Sequence, residues 1–241
     1  MSSRVKITFP HYLYGKSRAS KEINLTKLMG EKNIGRKVHG STKGFWKSTM
    51  SMNKMNGSVF NMVERNIELT KGDMKKIIRL VLKMHKEGYY HGSIHRKNIV
   101  WKQLEDDKNF KLRHFRYTGK TKNKLDYKFA LSEIKSRTSD ELYEQTLHSS
   151  IMHGDDRMKR VENTKDGDLI SLFLLLQNIY LVQNERKLGN NNRNNNRDVN
   201  YDAMKYTEHL YKFSKWFRET VETEVKNLNN KNKKNNFASI K

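Results

Sequence analysis

The sequence predicts an α+β protein, on three observations. The stripe Ile77, Leu80, Val81 and Met84 repeats at helical spacing. Two short runs, "NIVW" at 98–101 and "FKLRHF" at 110–115, flank the polar "KQLEDDKN" and read as paired strands. The apolar segment "GDLISLFLLLQNIYLV" at 167–182 reads as a helix buried on most sides.

The other elements follow in order. "RVKITF" at 4–9 reads as a strand ended by Pro10, and 19–29 as a short helix on Ile23, Leu25, Leu28 and Met29. Residues 30–56, rich in Gly, Lys, Ser and Met, read as an irregular connection with a short helix near Trp46. "SVFNMVERN" at 58–66 reads as a strand. Asp73 is placed to cap the next helix by accepting a free backbone N–H, and Gly88 to end it. Residues 116–165 lack periodicity and are too long for an ordinary loop, so short helices or a functional segment are expected there. Asp168 is the expected cap of the apolar helix. "GNNNRNNNRD" at 189–198 has no apolar group to pack and reads as a flexible surface insertion. A last helix is expected over about 201–224, facing the core with Tyr206, Leu210, Phe213, Phe217 and Val221. Residues 226–241 read as a disordered basic tail.

The bulk chemistry narrows the function classes. Among 241 residues, 49 Lys and Arg face 26 Asp and Glu, a formal net charge of +23. Such a chain suits acidic partners: nucleic acid, an anionic membrane or an acidic protein face. A Lys- and Asn-heavy composition also arises from an AT-biased genome without any functional meaning. Cysteine is absent, which excludes disulfides, thiolate metal sites and cysteine catalysis. The N-terminus lacks a signal-like apolar core, and no run of 18 apolar residues suggests a membrane span. The expected setting is therefore cytoplasm or nucleus rather than secretion. "KGFWKSTMSMNK" and "KLRHFRYTGKTKNK" interleave bases with aromatics as stacking surfaces do, but core aromatics beside solvated charges are the favoured reading.

The stretch "YYHGSIHRKNIV" at 89–100 carries the most information. It is similar to the catalytic loop of the casein kinase I and vaccinia-related kinase family, written Y-x-H-G-D-I-K-x-x-N-[IL]-[LV]. "ERNIEL" resembles the segment after that family's hinge, and "FKLRHFR" the strand leading into its metal-binding D-[FY]-G. "LHSSIMHG" at 147–154 resembles the element after its activation segment, and "DGDLISL" at 166–172 the start of its buried central helix. The resemblance is closest to the inactive poxvirus branch of the family. It implies a protein-kinase-like two-lobe fold: a reduced N-lobe and hinge over 1–66, lacking the Gly-rich loop, and a mainly helical C-lobe over 67–225.

The resemblance also implies site residues. The family's catalytic Asp maps to Ser93, its loop lysine to His95 and its metal-binding Asp to His114, with Phe115 and Arg116 following; Asn98 is retained. A serine hydroxyl is a poor base, and Mg²⁺ prefers hard oxygen ligands to imidazole. Phosphoryl transfer needs both tasks done. Lys6 and Glu22 match the family's ATP-contacting lysine and its helix glutamate as a remnant pair. His91 and Asp168 match framework positions, Asp168 tying the central helix to the loop backbone. His91, His95 and His114 are imidazoles of the kind zinc accepts, but no acidic third ligand accompanies them. The expectation is thus a pseudokinase without catalytic residues, cofactor or metal. It would act as a protein-interaction module on an active kinase or a DNA-associated kinase substrate. The poxvirus likeness adds an infected host cell as a setting. Direct nucleic-acid binding is the alternative, and an atypical phosphotransferase using His95 or His114 the weaker one.

Overall fold

The computed structural model describes residues 3–121, 125–136, 164–191 and 199–238. Strand β1 (Arg4–Pro10) forms where its alternation predicts, and leads directly into the short helix α1 (His11–Tyr14). Helix α2 (Lys16–Glu31) begins earlier than expected. It buries Ala19, Glu22, Ile23, Thr26 and Met29, residues spaced three and four apart on one face.

The expected irregular connection over 30–56 is instead mostly sheet. Strands β2 (Val38–Lys43) and β3 (Lys47–Asn53) pair antiparallel, and β3 lies centrally between β1 and β2. Trp46 sits in the tight turn between them, not in a helix. The strand cue was the period of two in "TMSM", which turns Met50 and Met52 to the same side. Methionine is not β-branched, so only Thr49 added propensity to that cue. Phe9, Ala19, Ile23, Met50 and Met52 form a small core between sheet and α2.

Residues 58–66 also depart from expectation. They form the two-residue strand β4 (Gly57–Ser58) and helix α3 (Val59–Glu64). Val59, Met62 and Val63 have helical spacing, and the Ser58 N–H donates to Asn61 Oδ1 at 3.0 Å across the first turn. Helix α4 (Lys71–Lys86) is capped by Thr70 rather than Asp73. Thr70 Oγ1 accepts from the Asp73 N–H at 3.1 Å, and Asp73 Oδ2 accepts from the Thr70 N–H at 3.2 Å. Gly88, at φ 80°, ends the helix as expected.

Strand β5 (Tyr89–Tyr90) introduces the loop 91–98. Strands β6 (Ile99–Leu104) and β7 (Asp107–Leu112) pair as predicted, but they take up most of the expected turn 102–109 and β7 stops at Leu112, short of 115; β4 lies on the outer edge of β6. A 3-10 turn at Phe115–Tyr117 precedes β8 (Gly119–Lys120), which pairs with β5. Helix α5 (Lys128–Ser136) follows. "LHSSIMHG" lies outside the described residues. Helix α6 (Lys165–Asn191) extends the predicted apolar helix at both ends, so Gly189–Asn191 are helical; 192–198 lie outside the described residues. Thr164 Oγ1, not Asp168, takes the end-of-helix N–H of Gly167, at 3.1 Å.

Helix α7 (Val199–Ala238) runs 40 residues, through most of the expected disordered tail. No Gly or Pro interrupts 199–238. Packing nucleates the helix, and each further residue then adds a backbone bond at small cost. Helices α4, α6 and α7 share a large core with β6 and β7, including Ile77, Val81, Phe173, Leu176, Phe213 and Phe217. Arg79 clamps α4 to α7 by donating to both carboxylate oxygens of Glu224, at 2.7 and 2.8 Å. No helix of the described residues is long and apolar enough to cross a membrane.

Candidate functional site

Where α4, α6 and the loop 91–98 meet, one carboxylate collects three donors. Asp168, in the first turn of α6, is 2 % exposed. Its Oδ2 accepts from the His91 N–H at 2.5 Å and from His85 Nε2 at 3.0 Å, and its Oδ1 from the Gly92 N–H at 2.8 Å. An ionised carboxylate only accepts, so His85 Nε2 carries the proton and Nδ1 accepts from the Tyr127 hydroxyl at 2.7 Å. Burial, with Asp166 and Asp168 nearby, pushes the Tyr127 phenol up and keeps it protonated to donate that bond. Gly92 sits at φ 72°, and a side chain there would place Cβ 2.7 Å from the Tyr117 carbonyl oxygen. Glycine is what allows the chain to turn over Asp168.

The rest of the loop is tied down from its other end. Asn98 Nδ2 donates to the Ser93 carbonyl at 2.9 Å and to Ser93 Oγ at 3.2 Å. The Arg113 N–H donates to the Asn98 carbonyl at 3.0 Å, and His91 Nε2 donates to the Arg113 carbonyl at 3.0 Å. Burial holds the fully enclosed His91 imidazole below its usual range, so it stays neutral and acts as a strut. Its ring lies edge-on to Phe115 at 5.4 Å, and Phe115 is fully buried. Glu22 reaches from α2 to complete this frame, its Oε1 accepting from the Phe115 N–H at 2.9 Å. Burial raises the Glu22 carboxyl; the Phe115 bond and nearby Arg116 oppose that rise.

The electrostatics around the loop are one-sided. His95 is held below its usual range by burial and then by His91, Arg113, Lys97 and Arg96. His114, in the left-handed region at φ 62°, is pushed down to about 4 by burial and then by Arg113, Arg116, His91 and His95. Both residues keep an exposed side, so solvent screens part of that push, but both rings are neutral at pH 7. The two buried carboxylates here, Asp168 and Glu22, are both engaged with backbone N–H groups. Neither is placed as a free base, and the Ser93 hydroxyl is a donor and acceptor rather than a base. Among the described residues, no three His, Asp or Glu side chains converge as a metal-ligating group.

Most of the sequence-predicted site residues therefore gather: His91, Ser93, His95, Asn98, His114, Phe115, Arg116, Glu22 and Asp168. Lys6 does not. It is exposed on β1, whose Val5, Ile7 and Phe9 face the small core with Ile23 of α2. Side chains alternate along a strand, so Lys6 points away from α2, and no ion pair joins it to Glu22. Glu22 binds backbone instead. The expected remnant pair is thus not formed, and Ile7 holds the helix-facing position. Two participants were missed. His85 is recognisable only as a polar residue among the buried side chains of α4. Tyr127 gave no sequence signal at all. The aromatic groups also split: Phe45 and Trp46 are 77 % and 78 % exposed, against the expectation of core, while Phe115 is buried. No protein-family model matches the chain, and no curated protein matches it significantly.

Proposed function

We propose that this chain is a pseudokinase related to the casein kinase I and vaccinia-related kinase family, working as a protein-interaction module without phosphoryl transfer. One observation carries the reading. Asp168, Asn98 and Glu22 each bind backbone that shapes the loop 91–98 or its flank, while the positions matched to the catalytic base and the metal carboxylate hold Ser93 and His114. Asp168, Asn98 and Glu22 are engaged with backbone, which supports a retained frame. The order of strand, helix, loop, paired strands and buried helix is in keeping with it. A framework that survives without its base and metal ligand is suited to presenting a surface to a partner. The partner class expected from the resemblance is an active kinase or its DNA-associated substrate. Recovery of the tagged full-length chain from its native cell tests this. Co-purification of an active kinase or a DNA-bridging protein supports it, and the absence of both contradicts it.

A second reading, nucleic-acid binding, rests on the β2–β3 turn. Phe45 and Trp46 stand exposed there, between the exposed Lys43 and Lys47. Rings on a basic tip suit stacking on single-stranded bases. Salt-sensitive single-strand binding lost in W46A favours this reading; no binding at low salt eliminates it.

A further inference from the structure

A buried arginine lies beside the loop with no carboxylate of the described residues to neutralise it. Arg36 is 7 % exposed, and its enclosed Nε and Nη2 have no hydrogen-bond partner among the described residues. No carboxylate of the described residues forms an ion pair with Arg36 or Arg113. The backbone that presents Arg36 is fixed. The Ile34 and Gly35 N–H groups both donate to the Met29 carbonyl, at 2.8 Å each. The Arg36 carbonyl lies so close to Gly30 that a Cβ there would approach it to 2.6 Å. Gly35 bridges Leu112 in parallel, which sets the next residues, Arg36 and Arg113, side by side on the opposite face. Arg113 is anchored in turn, its Nε donating to the Lys97 carbonyl at 2.8 Å.

Burying one unpaired guanidinium beside another is costly, and a fold tolerates it where an anion repays the cost. The groups around Arg113 that titrate low, His95 and His114, are lowered by cations and by burial, with no acid among the causes. Arg36 itself is lowered to about 10 by burial and then by Arg113.

We propose that Arg36 and Arg113 form an anion site that takes a phosphate group without a divalent metal. His95 and His114 stand at its edge as neutral hydrogen-bonding groups. The guanidinium fork matches phosphate oxygens, and two enclosed nitrogens of Arg36 have no partner among the described residues. The phosphate comes either from a free phosphate compound or from a phosphorylated side chain of a partner. The site is independent of the proposed function: it needs neither a kinase relationship nor a protein partner.

The test uses the full-length chain in EDTA at constant ionic strength. Pyrophosphate and a phosphoserine peptide are titrated separately, with chloride as control, followed by calorimetry and thermal melting. Saturable binding of either probe is expected, with affinity falling at least about tenfold in R36M, the loss of one charge-assisted contact. The stronger arm identifies the source. R36M without anion is expected to melt at or above the wild-type temperature, because an unpaired buried charge is replaced by an apolar chain of similar length. R113M is expected to weaken the same binding. Binding unchanged in R36M overturns the proposal. So does a response equal to that of chloride, or an R36M chain that melts lower or fails to fold.

Discussion

Asp168→Ala is the substitution with the largest expected effect on this fold. It removes the acceptor for the His91 N–H, the Gly92 N–H and His85 Nε2, all enclosed where α4, α6 and the loop meet. Each stranded buried donor costs about 1–3 kcal/mol, so three cost about 3–9 kcal/mol, the lower end applying where the loop relaxes. Domains of this kind have total stabilities of about 5–15 kcal/mol, so the variant is expected near the edge of folding. Asp168→Asn keeps one acceptor oxygen but turns an N–H₂ toward a donor, and is expected to lose about 2–4 kcal/mol. Urea unfolding followed by tryptophan fluorescence and circular dichroism measures both. The variants should shift the midpoint in the order wild type, Asn, Ala. A loss below about 1 kcal/mol for Asp168→Ala refutes the claim that this carboxylate organises the loop.

Three further outcomes are expected. Gly92→Ala forces a side chain into the left-handed region and against the Tyr117 carbonyl, so it should lose about 2–3 kcal/mol in the same urea assay; a neutral result removes the steric argument. Glu22 has a carboxyl raised above its ordinary 4.5, so the folded state holds this proton more tightly than the unfolded chain. Its contribution is therefore greatest at low pH and falls as pH rises above about 4.5 through the folded value; Glu22→Gln, which keeps the acceptor for Phe115, should flatten that part of the stability profile. His114 is depressed to about 4 from 6.5, so the folded state binds fewer protons between those values. The stability it contributes is complete above pH 6.5 and is lost as pH falls toward 4, and its ring resonances in NMR should titrate clearly below 6.5; a midpoint at 6.5 or higher contradicts the cationic surroundings.

What could be read from the sequence follows the strength of local periodicity. Helix α4 has an unambiguous stripe and stands where the pattern puts it, while strands β6 and β7 pair as expected with shifted ends, because the polar residues of the expected turn also extend the ladder. The β2–β3 hairpin was hidden because its buried face uses Met50 and Met52, which are not β-branched, between Lys, Ser and Gly. Segment 58–66 is short enough that its four apolar residues do not settle the period, and the Ser58–Asn61 bond decides for helix. At the site, Asp168 was visible as a residue but its third partner, His85, lies 83 positions away. The orientation of Lys6 depends on which face of β1 meets α2, and an isolated strand does not encode that. Arg36 was invisible for a deeper reason: burying it opposes folding, so no folding pattern announces it.

The central claim is that the loop 91–98 retains its shape but not its chemistry. Transfer of the γ-phosphate from labelled ATP, with Mg²⁺ or Mn²⁺, onto generic and acidic substrates measures it directly. The wild-type chain, S93A and H114A are each expected to give the same background incorporation. Transfer by the wild type that disappears in S93A or H114A contradicts the claim.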